Sequence, residues 1–159
     1  MDSLASPRTA TFEPRNPDFE ACVRESFGRQ KLMETIGARL TRVAPGEVLI
    51  ELPFRDDLSQ QHGFLHGGIV AAILDSACGY AALSLVPADA AVLTVEYKVN
   101  FVAPAAGQRM IAHGRVTKPG RAITVCAGDA FALSDGTEKL VATMLMTMMT
   151  LRDRSELQG

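Results

Sequence analysis

The sequence predicts an α+β protein in which a curved antiparallel sheet wraps one long central helix, and three features of the chain predict it. The first is the almost uncharged run Gly67 to Val86, whose apolar residues fall on nearly every side of a helix. Such a helix must be surrounded to be buried. The second is a change to period two after it. Val95, Tyr97, Val99 and Phe101 alternate with Thr94, Glu96, Lys98 and Asn100, which reads as a strand with one face buried. The third is a row of strand-length segments, 108–117, 121–134 and 139–151, joined by Lys118-Pro119-Gly120 and Ser134-Asp135-Gly136-Thr137. Connections this short make neighbours pair antiparallel, so the last four strands read as a meander.

The remaining elements follow in chain order. Residues 1–17 read as a flexible N-terminal arm. Phe19, Ala21, Cys22, Val23 and Phe27, then Leu32, Met33 and Ile36, have helical spacing, with a break expected at Gly28. Residues 38–54 read as extended chain turning at Pro45-Gly46, with Glu47 to Leu52 as its second strand. Residues 55–65 are a polar loop, the central helix runs over about 67–85 before Pro87, and Pro104 and Gly107 close the strand that follows. The reading is one domain over 18–151 and a C-terminal tail over 152–159. A length of 159 residues suits one domain on a prior of about 150 residues.

Composition removes several classes. Hydrophobic residues at 47% and charged residues at 21% describe a globular chain. Sixteen Lys+Arg against eighteen Asp+Glu leave a net charge of −2, without the basic excess of a dedicated nucleic-acid binder. Cys22, Cys78 and Cys126 are odd in number and share no CxxC spacing, which argues against a disulfide framework or a thiolate metal site. The first residues lack the apolar segment of a secretory signal, so the expected compartment is the cytoplasm. The central run is long enough to span a bilayer, but Asp75 sits in its middle at a cost of roughly 2.5–3.5 kcal/mol, and a buried helix is the expected reading. No membrane and no nucleic acid are expected as partners.

The chemistry concentrates between Gln60 and Cys78. Gly67-Gly68 stands where the helix begins, so free N–H groups at the positive end of the helix dipole can be approached closely by a ligand. That is a corner for an anion or a developing oxyanion. Asp75 is an acid on an otherwise apolar helix, the only formal charge between Asp57 and Asp89, and such an acid has a structural partner or a chemical task. Eight residues separate Gly67 from Asp75, roughly 12 Å along a helix axis at about 1.5 Å each. One substrate atom cannot touch both on the same helix. If both act on it, Asp75 comes from a second subunit whose helix runs antiparallel across a two-fold axis.

The run His66-Gly67-Gly68 with Asp75, Gln60 seven residues before Gly67, and the segment Leu93 to Gly107 resemble the hotdog-fold thioesterases of the phenylacetic-acid-degradation (PaaI-like) type. The resemblance covers about residues 30–150. It implies a hotdog fold and hydrolysis of an acyl-CoA thioester to free acid and CoA, with no metal and no cofactor. It implies that the Gly67 N–H polarises the thioester carbonyl and that Asp75 of the partner subunit is the base or nucleophile. Gln60 falls where the family places an Asn or Gln near the thioester, and Thr94 where a Ser or Thr orients water. His66 and Gly68 belong to the motif, His66 as an organiser of the loop. Lys118 and Arg121 are the candidates for the CoA phosphates. A homodimer is required, with a tetramer built as a dimer of dimers left open.

The same residues allow other readings. Ser76 lies beside the acid, but Leu74 stands where the G-x-S-x-G nucleophile elbow needs its first glycine, which leaves Ser76 a thioester contact at most. Cys78 is one helical turn beyond a carboxylate that would raise its pKa, and is expected to pack. His62 and His66 are four apart, a zinc spacing on a helix, but Gly63 and the loop undercut it. Met144, Met146, Met148 and Met149 are expected to pack. The rival functions are a hotdog dehydratase or hydratase of acyl thioesters and a non-catalytic acyl-CoA-binding module.

Overall fold

The computed structural model describes residues 11–152, so the start of the N-terminal arm and the C-terminal tail beyond Arg152 lie outside the described residues. Helices α1 (Phe19–Arg29) and α2 (Lys31–Ile36) lead into strands β1 (Arg39–Ala44) and β2 (Glu47–Pro53). After a single 3-10 turn at Asp56–Leu58 comes α3 (Gly67–Leu83), then β3 (Ala91–Phe101), β4 (Arg109–Lys118), β5 (Ile123–Ser134) and β6 (Thr137–Leu151). The helical break falls at Gln30 and not at Gly28. Gln30 takes an extended ψ of 95° and its N–H bonds back to Phe27 O, while Gly28 continues α1 with open space where a side chain would stand.

All six strands form one antiparallel sheet in the order β1-β2-β4-β5-β6-β3. Only β4, β5 and β6 form a meander, because β3 pairs with β6 and β4 lies between β2 and β5. The hairpin expected between β3 and β4 is therefore absent. Residues 102–108 instead carry the chain from the sheet edge across the ends of β6 and β5, and their polar groups are bonded along the way. Val102 and Ala103 N–H donate to Val141 O, Ala105 O accepts from Leu65 N–H, and Gln108 N–H donates to Leu133 O. Crossing three strand spacings covers about 14 Å, within reach of seven residues at about 3.3 Å each.

The concave face of the sheet wraps α3, whose Val70, Ile73, Leu74, Ala77, Cys78, Ala81 and Ala82 are buried. Small residues set how close helix and sheet come. Gly114 and Gly128 are paired on β4 and β5 under the helix. A methyl on Gly114 would stand 2.2 Å from the Ala77 carbonyl carbon, and one on Gly128 2.8 Å from Cys78 Sγ. The buried hydroxyl of Ser84 anchors the helix end, accepting from Gly46 N–H and donating to Ala81 O, both at 2.7 Å. The methionines expected to pack divide: Met144, Met146 and Met148 are in the core, and Met149 is exposed.

Strand β3 departs from the reading of one buried face. Val95, Tyr97 and Phe101 are exposed by 51%, 43% and 53%. The strand is the outer edge of the sheet; it meets α3 through Thr94 at Asp75 and Phe101 at Gly67 and still leaves apolar side chains open to solvent, so alternation there marks a face the protomer covers only in part. A β-bulge between Thr94 and Glu96 also interrupts the pairing with β6.

Candidate active site

Local folding at the head of α3 follows from His66-Gly67-Gly68. His66 is the N-cap residue, and its Nδ1 accepts the Gly68 N–H at 2.9 Å. A side chain at the N-cap satisfies one of the helix's orphan donors. This fixes His66 as an organiser of the helix start, and the geometry differs from two histidines on one helix face. The loop before it is held by Gln60, whose N–H donates to Phe64 O at 2.8 Å and whose side-chain oxygen accepts from His62 N–H. Gly67 lies against Phe101 at the end of β3, where an added methyl would stand 3.2 Å from the ring. Gln60, Gly67 and Phe101 share a cavity of about 420 Å³ with Phe64, Val70 and Val102.

Asp75 opens into a different cavity, of about 220 Å³, shared with Ser76, Tyr80, Thr94, Gln30 and Ser26. Thr94 Oγ1 donates to Asp75 Oδ1 at 2.7 Å. Strict alternation from Val95 to Phe101 would put Thr94 on the opposite face, with Glu96 and Lys98. The bulge inserts one residue and turns Thr94 toward the helix, opposite Met148, while Glu96 pairs with Thr147 on the outer face. The structure thus brings Asp75, Thr94 and Ser76 together in one place, and Gln60 and Gly67 in another.

Gln30, Tyr80 and Ser26 were not reached by the sequence reasoning. Ser76 Oγ donates to Gln30 Oε1 at 3.2 Å, and Ser26 Oγ lies 3.5 Å from the Tyr80 hydroxyl. Burial raises the Tyr80 pKa, so its hydroxyl stays protonated. The available signal was the four-residue spacing of Ser76 and Tyr80, which places two hydroxyls on one face of an apolar helix. Cys78 is buried; loss of solvent, aided by Cys126 and Asp75, pushes its thiol well above the usual range. Burial likewise pushes Cys126 up to about 12, and neither is a nucleophile. Lys118 and Arg121 are exposed at the far end of β4 and just beyond it, and Arg121 lines a cavity of about 250 Å³ with Pro119 and Thr124.

A long helix clasped by an antiparallel sheet in this strand order, with a glycine-opened helix start and an acid farther along, defines a hotdog-fold protein of the thioester-hydrolase class. Residues 62–139 match the thioesterase superfamily. A thioesterase family protein from Silicibacter pomeroyi has 52% identity, covers 84% of this chain and 98% of that one, and superposes with a TM-score of 0.83. The 1,4-dihydroxy-2-naphthoyl-CoA hydrolase of Listeria monocytogenes is 25% identical over 123 residues, which is 77% of this chain and 98% of that one. The PaaI protein of E. coli, from the phenylacetic acid degradation operon, shares the fold with a TM-score of 0.76 at 17% identity, over 86% of this chain and 96% of that one. The chain belongs to the thioesterase superfamily and is a thioester hydrolase. Among the described residues, no helix is long and apolar enough to cross a membrane.

Proposed function

We propose that the protein hydrolyses acyl-CoA thioesters as a two-fold dimer whose two reaction centres each draw on both subunits. The observation that carries this reading is the separation of Asp75 and Gly67 into two cavities of one protomer, with Thr94 bonded to the acid and Phe101 against the glycine. Each protomer alone holds two half-sites.

The edge strand supports the way they combine. Among the described residues, β3 has a partner on one side only and exposes Leu93, Val95, Tyr97 and Phe101, with Val102 exposed just beyond it. A long apolar edge strand invites a further strand. Two β3 strands paired antiparallel about an axis between Tyr97 and Lys98 set Thr94 across from the partner's Phe101. That carries Asp75 toward the partner's Gly67, which its own helix keeps about 12 Å away. A dimer of dimers is the larger assembly this reading leaves open.

In each composite centre, the Gly67 N–H polarises the thioester carbonyl. The Gln60 amide NH2, its oxygen already held by His62, is a second donor. Asp75 lies on the other side of the carbonyl carbon, as the nucleophile or as the base that activates water. Thr94 holds that carboxylate by one oxygen and leaves the other for the reaction, and Ser76 and Gln30 line the same cavity. The tetrahedral oxyanion forms at the helix N-terminus, where fixed dipoles stabilise it, and CoA leaves as the thiol.

Thiol release from a panel of aliphatic and aryl acyl-CoAs tests this. The wild type is expected to turn over at least one member, and Asp75→Ala to lose about 10³-fold in kcat. Full turnover by Asp75→Ala would remove the assigned mechanism. An enoyl product without CoA release would mark a dehydratase, and tight binding without release a binding module.

A further inference from the structure

Asp75 and Thr94 occupy one end of their cavity, and the rest of its wall has no part in the chemistry above. The α3 residues that line it are Asp75, Ser76, Gly79, Tyr80 and Leu83, the spacing of a single helix face. Opposite them stand Ser26 of α1, which meets Tyr80, and Gln30 of the α1–α2 junction, which meets Ser76. Two donors on this wall are left over. Gln30 Oε1 accepts the Ser76 hydroxyl at 3.2 Å, while its Nε2 donates to no other described residue. The Tyr80 hydroxyl accepts from Ser26 at 3.5 Å and gives its own proton to no described residue. Tyr80 is only 8% exposed, and its ring is held edge-on by Phe27 with centroids 5.7 Å apart. Between the acid and these donors the lining is apolar, with Leu83, Val92 and Met148.

We propose that this cavity is the acyl pocket, and that Gln30 and Tyr80 make it selective for acyl groups carrying a neutral oxygen, a hydroxyl or a ketone, about five bonds from the thioester carbon; this rests on the reading of the protein as an acyl-CoA hydrolase. Size assigns the pocket to the acyl end. A cavity of about 150 Å³ holds a benzene ring, so the 220 Å³ here suits a short acyl group and is far too small for CoA. The donors set the position of the oxygen. Tyr80 is five residues beyond Asp75, roughly 7.5 Å along the axis, and side chains on a helix lean back toward its start. Charge sets the oxygen's character. Asp75 is the only formal charge among the described residues lining the cavity, which disfavours a second carboxylate. Gly79 sets the room available. A methyl there would meet only Met148 Cε, at an ordinary 3.6 Å, so larger side chains at 79 grow into the cavity and not into packed backbone.

The test measures kcat/KM for hexanoyl-CoA, 5-hydroxyhexanoyl-CoA, 5-oxohexanoyl-CoA and adipoyl-CoA, with butanoyl-CoA as the short chain. Wild type is expected to favour the hydroxy and oxo compounds over hexanoyl-CoA by about tenfold and to disfavour adipoyl-CoA. Gln30→Leu is expected to bring that ratio near one, and Tyr80→Phe to lower it about threefold. Each ratio is taken within one variant, so it does not depend on how much of the variant is folded. Gly79→Val is expected to lower kcat/KM for hexanoyl-CoA about tenfold more than for butanoyl-CoA. Equal losses for the two chain lengths would overturn the pocket. The selectivity is overturned if wild type does not separate the oxygenated compounds from hexanoyl-CoA, if it prefers adipoyl-CoA, or if the preference survives in both Gln30→Leu and Tyr80→Phe. Any of these results leaves the hydrolase standing. Release of CoA by wild type from none of these compounds or the aryl thioesters would instead remove the reading on which the pocket rests.

Discussion

Thr94 shows how much one hydrogen bond can carry. Its hydroxyl holds one oxygen of Asp75 at 2.7 Å and so sets the carboxylate's rotation toward the cavity. Thr94→Val keeps the shape and removes the donor. Its expected outcome is a fall in kcat of about 10²-fold with KM nearly unchanged, and Thr94→Ser is expected to recover most of it; steady-state kinetics on one acyl-CoA decide. The two buried thiols give a different expectation at the same scale. With Cys126 pushed up to about 12 and Cys78 raised further, both stay protonated near neutral pH, whereas Cys22 is only half-buried. A thiol-reactive dye at pH 8 should label the native protein at Cys22 and reach the other two only on unfolding.

At the level of the elements, the contact between α3 and the sheet is set by the paired glycines of β4 and β5. Gly114→Ala drives a methyl into helix backbone, which cannot swing aside as a side chain can. It is expected to cost about 3 kcal/mol, or roughly 10 °C in Tm by thermal denaturation. Gly28→Ala is the opposite case: it lies in α1 with open space around it and is expected to stabilise by about 0.5 kcal/mol. The elements whose signals are local were legible in the chain. The apolar run of α3, the alternation of β3 and the turns after β4 and β5 each report their own conformation. The neighbour of β3 was not legible, because short connections favour hairpins, and nothing local announces that residues 102–108 bond to β5, β6 and the loop before α3.

For the whole molecule, the decisive expectation is that Asp75 and Gly67 act together only between subunits. Tyr97→Asp sets a charge at the centre of the open edge of β3, and is expected to give a monomer by sedimentation with activity lost and secondary structure kept. Subunit mixing is a sharper version. Asp75→Ala and Gly67→Leu chains are each expected to be inactive alone. Co-expressed, they should recover about a quarter of wild-type activity, since half of the dimers are mixed and each rebuilds one of two centres. A site contained in one protomer would recover nothing.

Much of the candidate site was readable from the order of residues, for reasons of local geometry. A helix that starts at Gly67 must expose N–H groups there, and one that continues to Asp75 must hold the acid about 12 Å away. The helix, the opening at its start and the inability of one chain to bring acid and amide together follow from helical rise and the residue types alone. Three things needed the tertiary structure: which strand flanks β3, the bulge that turns Thr94 onto the acid, and the meeting of Ser26, Gln30 and Tyr80 around the acid's cavity. Each depends on contacts between residues distant in sequence, where the period of a single strand or helix carries no information about what lies beside it.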